Sequence, residues 1–341
     1  MLCGGKHNVR DLYISLAVFC LAICSCKNRE VQEGVQQVDA RQRDDVVCYF
    51  DGDRVVLRLF LDGDKIIAQT LQEPFFSIID IEDKKIIKSF GRKGRARNEL
   101  AQIPQGVNYR NGELQYFDFA TKTLVKIPVN CTENYAAPVP YGVGFRPLRM
   151  VEVNGKLVAV GGFQEGSVAV VDSLQHISVV SDYSFDTGSL QGINKGTVIQ
   201  SDVVVAPTKA KFLQRTFASD CFEIYEVKGN RVEKIFANDY EYPPVIENNK
   251  LNPRLSRAGY IRCFADDEFI YLLHSDENYQ DASNRGLLSN TIHKFDWGGD
   301  LIQILRMPDE IGAFCVRDTI LFGTVEYPDH SEIVEYQIPL P

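Results

Sequence analysis

Residues 54–90, RVVLRLFLDGDKIIAQTLQEPFFSIIDIEDKKIIKSF, hold four short apolar runs with turn signals between them. Asp62-Gly63-Asp64 follows the first run, and Glu82-Asp83 precedes the last one. The runs are rich in Val, Ile and Phe, whose branched and aromatic side chains favour a pleated strand. This stretch therefore predicts a module of four short strands joined by turns.

The same module returns along the rest of the chain. Residues 46–341 divide into six such modules of about 49 residues each, close to the roughly 40–50 residues of a propeller blade. The sixth module is one strand short, whereas the run Val46–Phe50 precedes the first module without partners of its own. Pairing that run with the last module closes a ring and removes the exposed sheet edges. We therefore predict an all-β fold over residues 45–341, a six-bladed β-propeller closed by an N-terminal strand that completes the last blade.

The first residues have the pattern of an export signal. Cationic residues precede the apolar stretch Leu12–Ile23, which at about a dozen residues is shorter than the roughly 20 that a membrane span needs. The sequence Ile23-Cys24-Ser25-Cys26 at its end resembles a bacterial lipobox. The resemblance implies a lipoprotein signal peptide over residues 1–25 and a lipid on Cys26 that holds the protein on the membrane.

Residues 26–44 are polar and have no hydrophobic period, which predicts a flexible tether. Together with the lipobox, this predicts a bacterial cell-envelope protein anchored to the membrane by lipid. The resemblance to lipoproteins also bears on the side of the membrane: related lipoproteins that are exported to the cell surface carry an acidic cluster after the lipid-bearing cysteine, and Lys27-Asn28-Arg29 lacks one, which favours a periplasm-facing position. The net charge of −9 disfavours attraction to nucleic acid, so the predicted partners are the membrane, through the lipid, and a protein, peptide or glycan.

The stretch Ser89–Val107, SFGRKGRARNELAQIPQGV, is basic within this acidic chain. Gly91 and Gly94 match the bare form of a nucleic-acid-binding Gly-x-x-Gly loop, but that loop needs flanking helices and here a strand precedes it. We therefore predict a crossover between two blades. Its four cations form a candidate binding rim for an acidic partner: Arg92, Lys93, Arg95 and Arg97.

Residues 90–128 are similar to the NHL repeat of six-bladed propellers. The similarity lies in the glycine-rich junction, the strand start Pro104-x-Gly106-Val107 and the aspartate Asp118 that closes the next strand. With the lipobox, the chain resembles the TolB-like six-bladed propeller lipoproteins of Bacteroidota. Members of that group generally lack an assigned biochemical activity, so the resemblance implies a fold more than a function.

No catalytic residue, cofactor or metal site is predicted from motifs. The chain contains no Gly-x-Ser-x-Gly elbow and no His-Glu-x-x-His pair. Some propellers hold a metal in the tunnel through acidic side chains, and four aspartates stand near predicted strand ends: Asp118, Asp266, Asp267 and Asp318. Turn capping is the commoner role for such residues. A propeller hydrolase or lyase with a metal in the tunnel therefore stays as the alternative function.

The longest irregular segment inside a predicted blade is Ser275–Ser289, and long loops are often functional. Its candidate ligand-binding residues are Tyr279, Asn284 and Arg285, side chains suited to a sugar or a peptide. The function that the sequence favours is a non-catalytic binding or scaffold propeller for a protein, peptide or glycan.

Overall fold

The computed structural model describes residues 35–339, except residues 53, 97–98, 131–134, 140–144, 173–175, 189, 191, 230 and 239–241. The predicted signal peptide (residues 1–25), the predicted lipid site Cys26 and the rim residue Arg97 lie outside the described residues. Across the part of the chain that is described, no helix combines the length and the apolar character that crossing a membrane requires.

Strands dominate the fold. In chain order they are β1 (Gln36–Asp39), β2 (Arg41–Asp51), β3 (Val56–Asp62), β4 (Lys65–Thr70), β5 (Phe76–Asp80), β6 (Lys85–Phe90), β7 (Asn108–Arg110), β8 (Glu113–Asp118), β9 (Thr123–Pro128), β10 (Tyr135–Pro138), β11 (Phe145–Val153), β12 (Lys156–Phe163), β13 (Val168–Val171), β14 (Ile177–Ser181), β15 (Ser201–Val205), β16 (Lys211–Thr216), β17 (Phe222–Lys228), β18 (Arg231–Ala237), β19 (Ile246–Glu247), β20 (Lys250–Leu251), β21 (Arg257–Ala265), β22 (Phe269–Asn278), β23 (Ser289–Asp296), β24 (Leu301–Ile311), β25 (Phe314–Arg317), β26 (Ile320–Glu326) and β27 (His330–Gln337). Two short helices are described, α1 (Ile193–Val198) and α2 (Tyr279–Asn284).

Six antiparallel sheets form the blades of a six-bladed β-propeller, which confirms the predicted fold. Blades 1 to 4 are β3–β6, β7–β10, β11–β14 and β15–β18, blade 5 is β21–β24, and blade 6 is β25–β27 with β2. Strands β19 and β20 form a separate two-stranded hairpin between blades 4 and 5 in the chain. The first strand of each blade lies at the centre of the ring.

The hydrophobic core lies between the blades. The middle strands β4 and β5 are buried along almost their whole length, whereas the last strand of the blade, β6, is mostly exposed. A strand covered on both faces is apolar on both of them, so these runs are largely continuous rather than alternating. Six buried apolar clusters result, and each one joins side chains from two neighbouring blades.

The predicted closure of the ring is confirmed. Strand β2 pairs antiparallel with β27, with Val46 opposite Val334 and Phe50 opposite Ser331. Val47 and Phe50 are each 1% exposed and pack in the cluster between blades 6 and 1. The N-terminal strand therefore serves as the outer strand of the last blade.

The start of the propeller differs from the predicted boundary at residue 45. Strand β1 pairs in parallel with β24 from Gln36 to Asp39, and the first residues of β2 pair with the end of β27. Residues 36–44 of the predicted tether thus belong to the sheets. Gln36, Gln37 and Asp39 are exposed on this outer edge, where backbone hydrogen bonds supply the pairing, whereas Val38 and Ala40 pack against the core.

Two of the tight turns are Asn-Gly pairs with the backbone that such pairs favour. Asn111 and Gly112 have φ of 51° and 78°, and Asn154 and Gly155 have φ of 50° and 72°. Positive φ at both central residues is the requirement of a tight two-residue hairpin, and Asn and Gly adopt it at low cost. These turns join the first two strands of blades 2 and 3.

We expect that removal of residues 1–51 destabilises the propeller strongly, because β27 loses its partner. Burial of Val47 and Phe50 alone contributes about 3–6 kcal/mol, a large share of the roughly 5–15 kcal/mol that stabilises a typical domain. Urea unfolding followed by circular dichroism measures the loss. The matched control starts the chain at Val35, keeps both N-terminal strands and should unfold like the full chain. Equal urea midpoints for the two truncations would show that the closure is dispensable.

Candidate functional site

A cavity of about 340 Å³ lies at the centre of the ring among the inner strands. It is lined chiefly by aromatic and aliphatic residues, among them Phe60, Leu61, Tyr109, Val204, Phe264 and Phe314. Three arginines and two aspartates line it as well: Arg58, Arg215, Arg262, Asp202 and Asp266. The lining extends to half-buried Leu61, Pro207 and Asp266, at the face where the inner strands end. The cavity is therefore an apolar space with a cationic part.

The cationic part is an ion cluster around one buried carboxylate, and we call it the arginine cluster: Arg58, Arg149, Arg215, Arg262 and Asp202. Asp202 is 1% exposed and contacts the Arg58 guanidinium directly. Arg149 Nε lies 3.8 Å from Asp202 Oδ1, and Arg215 Nη2 lies 3.7 Å from Asp202 Oδ2. Arg262 lines the same cavity and donates through Nη1 to the carbonyl oxygen of Ile261 at 3.0 Å.

The ring geometry brings these residues together. Arg58, Arg149, Asp202 and Arg262 lie on the inner strands of blades 1, 3, 4 and 5, which converge on the central axis. Arg215 lies on β16 directly opposite Asp202, so these two form a cross-strand pair of opposite charge. Residues as far apart in sequence as Arg58 and Asp202 thus meet because the blades share one axis.

Electrostatics make this cluster cationic. Burial by itself would raise the pKa of Asp202, but the charges of Arg58, Arg215 and Arg149 hold it below the ordinary value, so the carboxyl is ionised. Burial lowers the pKa of Arg262 to about 10, and repulsion by Arg215 and Arg58 adds to the effect. Three guanidinium groups thus share one carboxylate and Arg262 lies beside them in the same lining, which leaves an excess of positive charge beside an apolar cavity.

Gly106 gives Arg149 its position. The glycine has φ of +61°, and a Cβ atom there would lie 1.8 Å from Arg149 Cδ. Pro104, two residues earlier, is held by Gln69, whose Nε2 donates to its carbonyl oxygen at 2.8 Å. The Pro-x-Gly-Val strand start therefore creates the space through which the Arg149 side chain reaches Asp202.

The basic junction Ser89–Val107 connects β6 to β7, as predicted, and it is closed by its own backbone. The amide of Gly94 donates to Leu100 O at 3.0 Å, and the amide of Leu100 donates to Arg92 O at 2.8 Å. Glu99 Oε2 accepts from the Ala96 amide at 2.8 Å. Arg92, Lys93 and Arg95 are exposed on this junction. Their role as a binding rim stays a prediction.

The segment Ser275–Ser289 is not an irregular loop. It contains the end of β22 and helix α2, whose N-terminus is capped by Asn278. The hydrophobic pattern of the sequence did not indicate this helix, because six residues are too few to show a helical period.

The three candidate residues of that segment have different surroundings. Tyr279 is half-buried and lines a smaller cavity of about 130 Å³ together with Arg215 and Arg262, next to the arginine cluster. Arg285 pairs with Glu277 at 2.6 Å and with Glu310 at 3.0 Å, so carboxylates already occupy its guanidinium. Asn284 is exposed. Only Tyr279 is therefore brought to the centre of the ring, and the ligand-binding role of all three stays a prediction.

The aspartates near strand ends act largely as turn caps. Asp118 Oδ1 accepts from the amides of Ala120 and Thr121, and Asp266 Oδ1 accepts from those of Glu268 and Phe269. Asp267 in turn accepts from the amide and hydroxyl of Thr208 on the neighbouring blade. These contacts match the capping role rather than the metal-binding role.

The donor chemistry of the tunnel does not suit a divalent cation. Asp202 is surrounded by guanidinium groups, and their charge repels a cation from the only oxygen ligands in the cluster. Within the described residues, no group of three or more His, Cys, Asp or Glu side chains is placed to hold a metal ion. The tunnel-metal hydrolase or lyase therefore has no support from this cluster.

His274 and His293 lie on neighbouring strands of blade 5, and their rings stack at 4.6 Å. His274 Nε2 lies 3.2 Å from Asp220 Oδ1, and His293 Nδ1 lies 3.2 Å from the Tyr260 hydroxyl. Burial lowers the pKa of His293 to about 3, with a further contribution from His274, so this imidazole is neutral. These contacts give His293 a structural role within blade 5.

Sequence reasoning missed the arginine cluster, although a signal was present. Three of its arginines have apolar residues on both sides along the strand: VLRLF around Arg58, PLRMV around Arg149 and YIRCF around Arg262. An isolated arginine inside a strand that is buried on both faces needs a buried partner. The repetition of this pattern across blades indicates a shared centre, but it does not say which carboxylate serves as the partner.

Comparison with known proteins supports the fold. No family model and no curated protein matches this chain. A Bacteroides fragilis protein that is named as exported matches with a TM-score of 0.55 at 10% identity, over 92% of this chain and 98% of that one. The chain shares the fold of that protein. At this identity the likeness shows the fold alone.

Two further solved structures are more distant. A member of the DUF4221 family from Bacteroides vulgatus has a TM-score of 0.49 at 10% identity, over 90% of this chain and 98% of that one. BamB from Moraxella catarrhalis has a TM-score of 0.40 at 12% identity, over 89% of this chain and 100% of that one.

We expect Gly106→Ala to destabilise the protein more than Gly112→Ala, its matched control. Both glycines have positive φ, which costs an alanine about 1–2 kcal/mol, but a Cβ at Gly112 meets nothing within 4 Å whereas one at Gly106 meets Arg149. Displacement of Arg149 from Asp202 should add about 1–3 kcal/mol to the loss at Gly106. Urea unfolding of both variants measures the difference. Equal losses would mean that Gly106 does not position Arg149.

Proposed function

We propose that this protein is a non-catalytic binding propeller of the bacterial cell envelope, held on the membrane by a lipid on Cys26, and that its ligand site is the central cavity. The observation that carries the proposal is the cavity of about 340 Å³ with apolar walls and the arginine cluster at one part of its lining. Small-molecule sites are typically concave, of about 300–1,000 Å³, mostly apolar, and provided with a few convergent polar groups. The central cavity has each of these properties.

The side chains of the cavity are suited to binding rather than to chemistry. Arginine donates hydrogen bonds but keeps its proton near neutral pH, so it does not act as a general base. Burial raises the pKa of the Cys263 thiol, which keeps it from forming the thiolate that a nucleophile needs. Burial also raises the pKa of Asp266, but its carboxylate is occupied by two backbone amides of its own turn.

The proposed address rests on the lipobox-like sequence at Cys26 and on the resemblance to TolB-like propeller lipoproteins. The name of the Bacteroides fragilis protein with the same fold, which describes it as exported, agrees with that address. A protein, peptide or glycan at the exposed junction cations Arg92, Lys93 and Arg95 is a further proposal. We favour the cavity over that surface as the ligand site because the cavity is concave, mostly apolar and provided with buried donors.

A cavity-filling variant tests the binding site. We expect that ligand-observed NMR with a chemically diverse fragment library finds fragments that bind the purified protein, and that Val204→Trp abolishes binding of most of them. Val204 lines the cavity and is buried, so an indole there occupies the space that a ligand needs. Ile177→Trp is the matched control, since Ile177 is exposed on β14. Fragments that bind both variants equally, or a library without hits, would overturn the assignment.

The address is tested at Cys26. We expect the unsubstituted protein, expressed in a bacterial host with lipoprotein processing, to incorporate a clickable fatty acid and to sediment with membranes. Cys26→Ser should lose both properties because serine provides no thiol for acylation. Cys24→Ser is the matched control and should keep both. Labelling that survives Cys26→Ser would refute the proposed anchor and leave the cavity proposal untouched.

A further inference from the structure

We infer that the central cavity selects an amphipathic anion, whose carboxylate or phosphate head meets the arginine cluster while its apolar body lies along the cavity walls. This inference rests on the proposed function, since it names the ligand class of that same cavity. The charge balance, the buried donors and the arrangement of the walls each point to this class.

The charge balance leaves room for an anion. Arg58, Arg149 and Arg215 are all within 4.0 Å of the Asp202 carboxylate, which neutralises one of them. Arg262 adds a fourth cation to the same lining. Burial makes unbalanced charge costly, because Coulomb interactions are stronger away from bulk water. An anionic head placed between Arg215 and Arg262 lowers that cost, whereas a cation raises it.

The donors of the cluster are only partly used. The Nε atoms of Arg149, Arg215 and Arg262 are buried, and within the described part of the chain none has a hydrogen-bond acceptor. Arg215 is 5% exposed and lines both the central cavity and the smaller one beside Tyr279. Buried donors are nearly always paired in native proteins. A planar guanidinium fork matches carboxylate or phosphate oxygens in a bidentate manner, and charge-assisted bonds of this type are the strong ones.

The walls fix the direction of the ligand. Phe60, Val204, Phe264 and Phe314 surround the space next to the cluster, and Asp266 lies at the face where the inner strands end. An anionic head would be repelled from Asp266 and attracted to the cluster. Its apolar body then extends between the aromatic walls toward that face. A fully polar anion such as free phosphate can contact the arginine cluster but makes no apolar contacts with the cavity walls, so it should bind more weakly than an amphipathic anion.

Four decyl compounds with different heads test the inference by calorimetry on the purified full-length protein, below their micellar concentrations. Decanoate and decyl phosphate should bind at least about tenfold more tightly than decanol, because only an ionised head forms charge-assisted hydrogen bonds with the guanidinium groups. Decyltrimethylammonium should bind most weakly. Whichever of the two anions binds more tightly identifies the head group, and either order supports the inference.

The outcomes separate the inference from the proposed function. Decanol that binds as tightly as decanoate would overturn anion selection while keeping the cavity as a binding site. No binding by any of the four compounds would overturn the inference together with the proposed cavity function. Inorganic phosphate that binds as tightly as decyl phosphate would overturn the role assigned to the walls.

Variants at the cluster locate the selectivity. Arg262→Gln should weaken decanoate about tenfold and leave decanol unchanged, because it removes the charge but keeps an amide of similar shape. Arg262→Lys keeps the charge but lacks the planar guanidinium fork, so its affinity for decanoate should lie between those of the unsubstituted protein and Arg262→Gln. Arg231→Gln, at an exposed position on β18, is the matched control and should change neither ligand. If Arg262→Gln fails to fold, the Arg262→Lys variant and the four decyl compounds still test whether the cavity selects an anion. Equal losses for decanoate and decanol in Arg262→Lys would contradict a role in anion recognition.

Discussion

The pairing of β2 with β27 is the interaction on which the structure depends. Six apolar clusters of the described residues lie between neighbouring blades, so each blade needs a neighbour on both sides. A ring meets that requirement only if its last blade is complete, and the N-terminal strand supplies the missing edge. The closure also decides the centre, because the inner strands converge on one axis only when the ring is shut.

The centre of the ring shows how the fold creates a site from residues that are ordinary in sequence. Arg58 lies in blade 1 and Asp202 lies in blade 4, far apart in the sequence. Neither residue has a neighbouring side chain of opposite charge on its own strand that would serve as its partner in the central cavity. Asp202 makes the burial of several arginines tolerable, since removing one member of a buried ion pair is far more costly than replacing the pair. One carboxylate does not balance four guanidiniums, and the remaining positive charge is what gives the cavity its chemical character.

The glycine-rich junction contributes to this site indirectly. Its exposed cations attract attention in the sequence, but its backbone is closed by hydrogen bonds within the junction itself. The residue that matters to the centre is Gly106, because its missing side chain leaves a path for Arg149. The junction motif, which resembles one found in other propellers, thus has two roles. It shapes the connection between blades 1 and 2, and through Gly106 it leaves room for Arg149 at the centre, and only this second role concerns the proposed ligand.

Local sequence by itself determined the strands, the tight Asn-Gly turns and the number of blades, because branched apolar runs and positive-φ residues act within a few positions of each other. It also determined the closure of the ring, because the run Val46–Phe50 has no partner near it in the sequence and the last module is one strand short. Tertiary structure alone decided that residues 36–44 join the sheets, because their pairing depends on edges formed by β24 and β27. It also decided the arginine cluster. An arginine meets a carboxylate from another blade only if both side chains lie at the same height along the central axis. That height is set by how all six blades pack together.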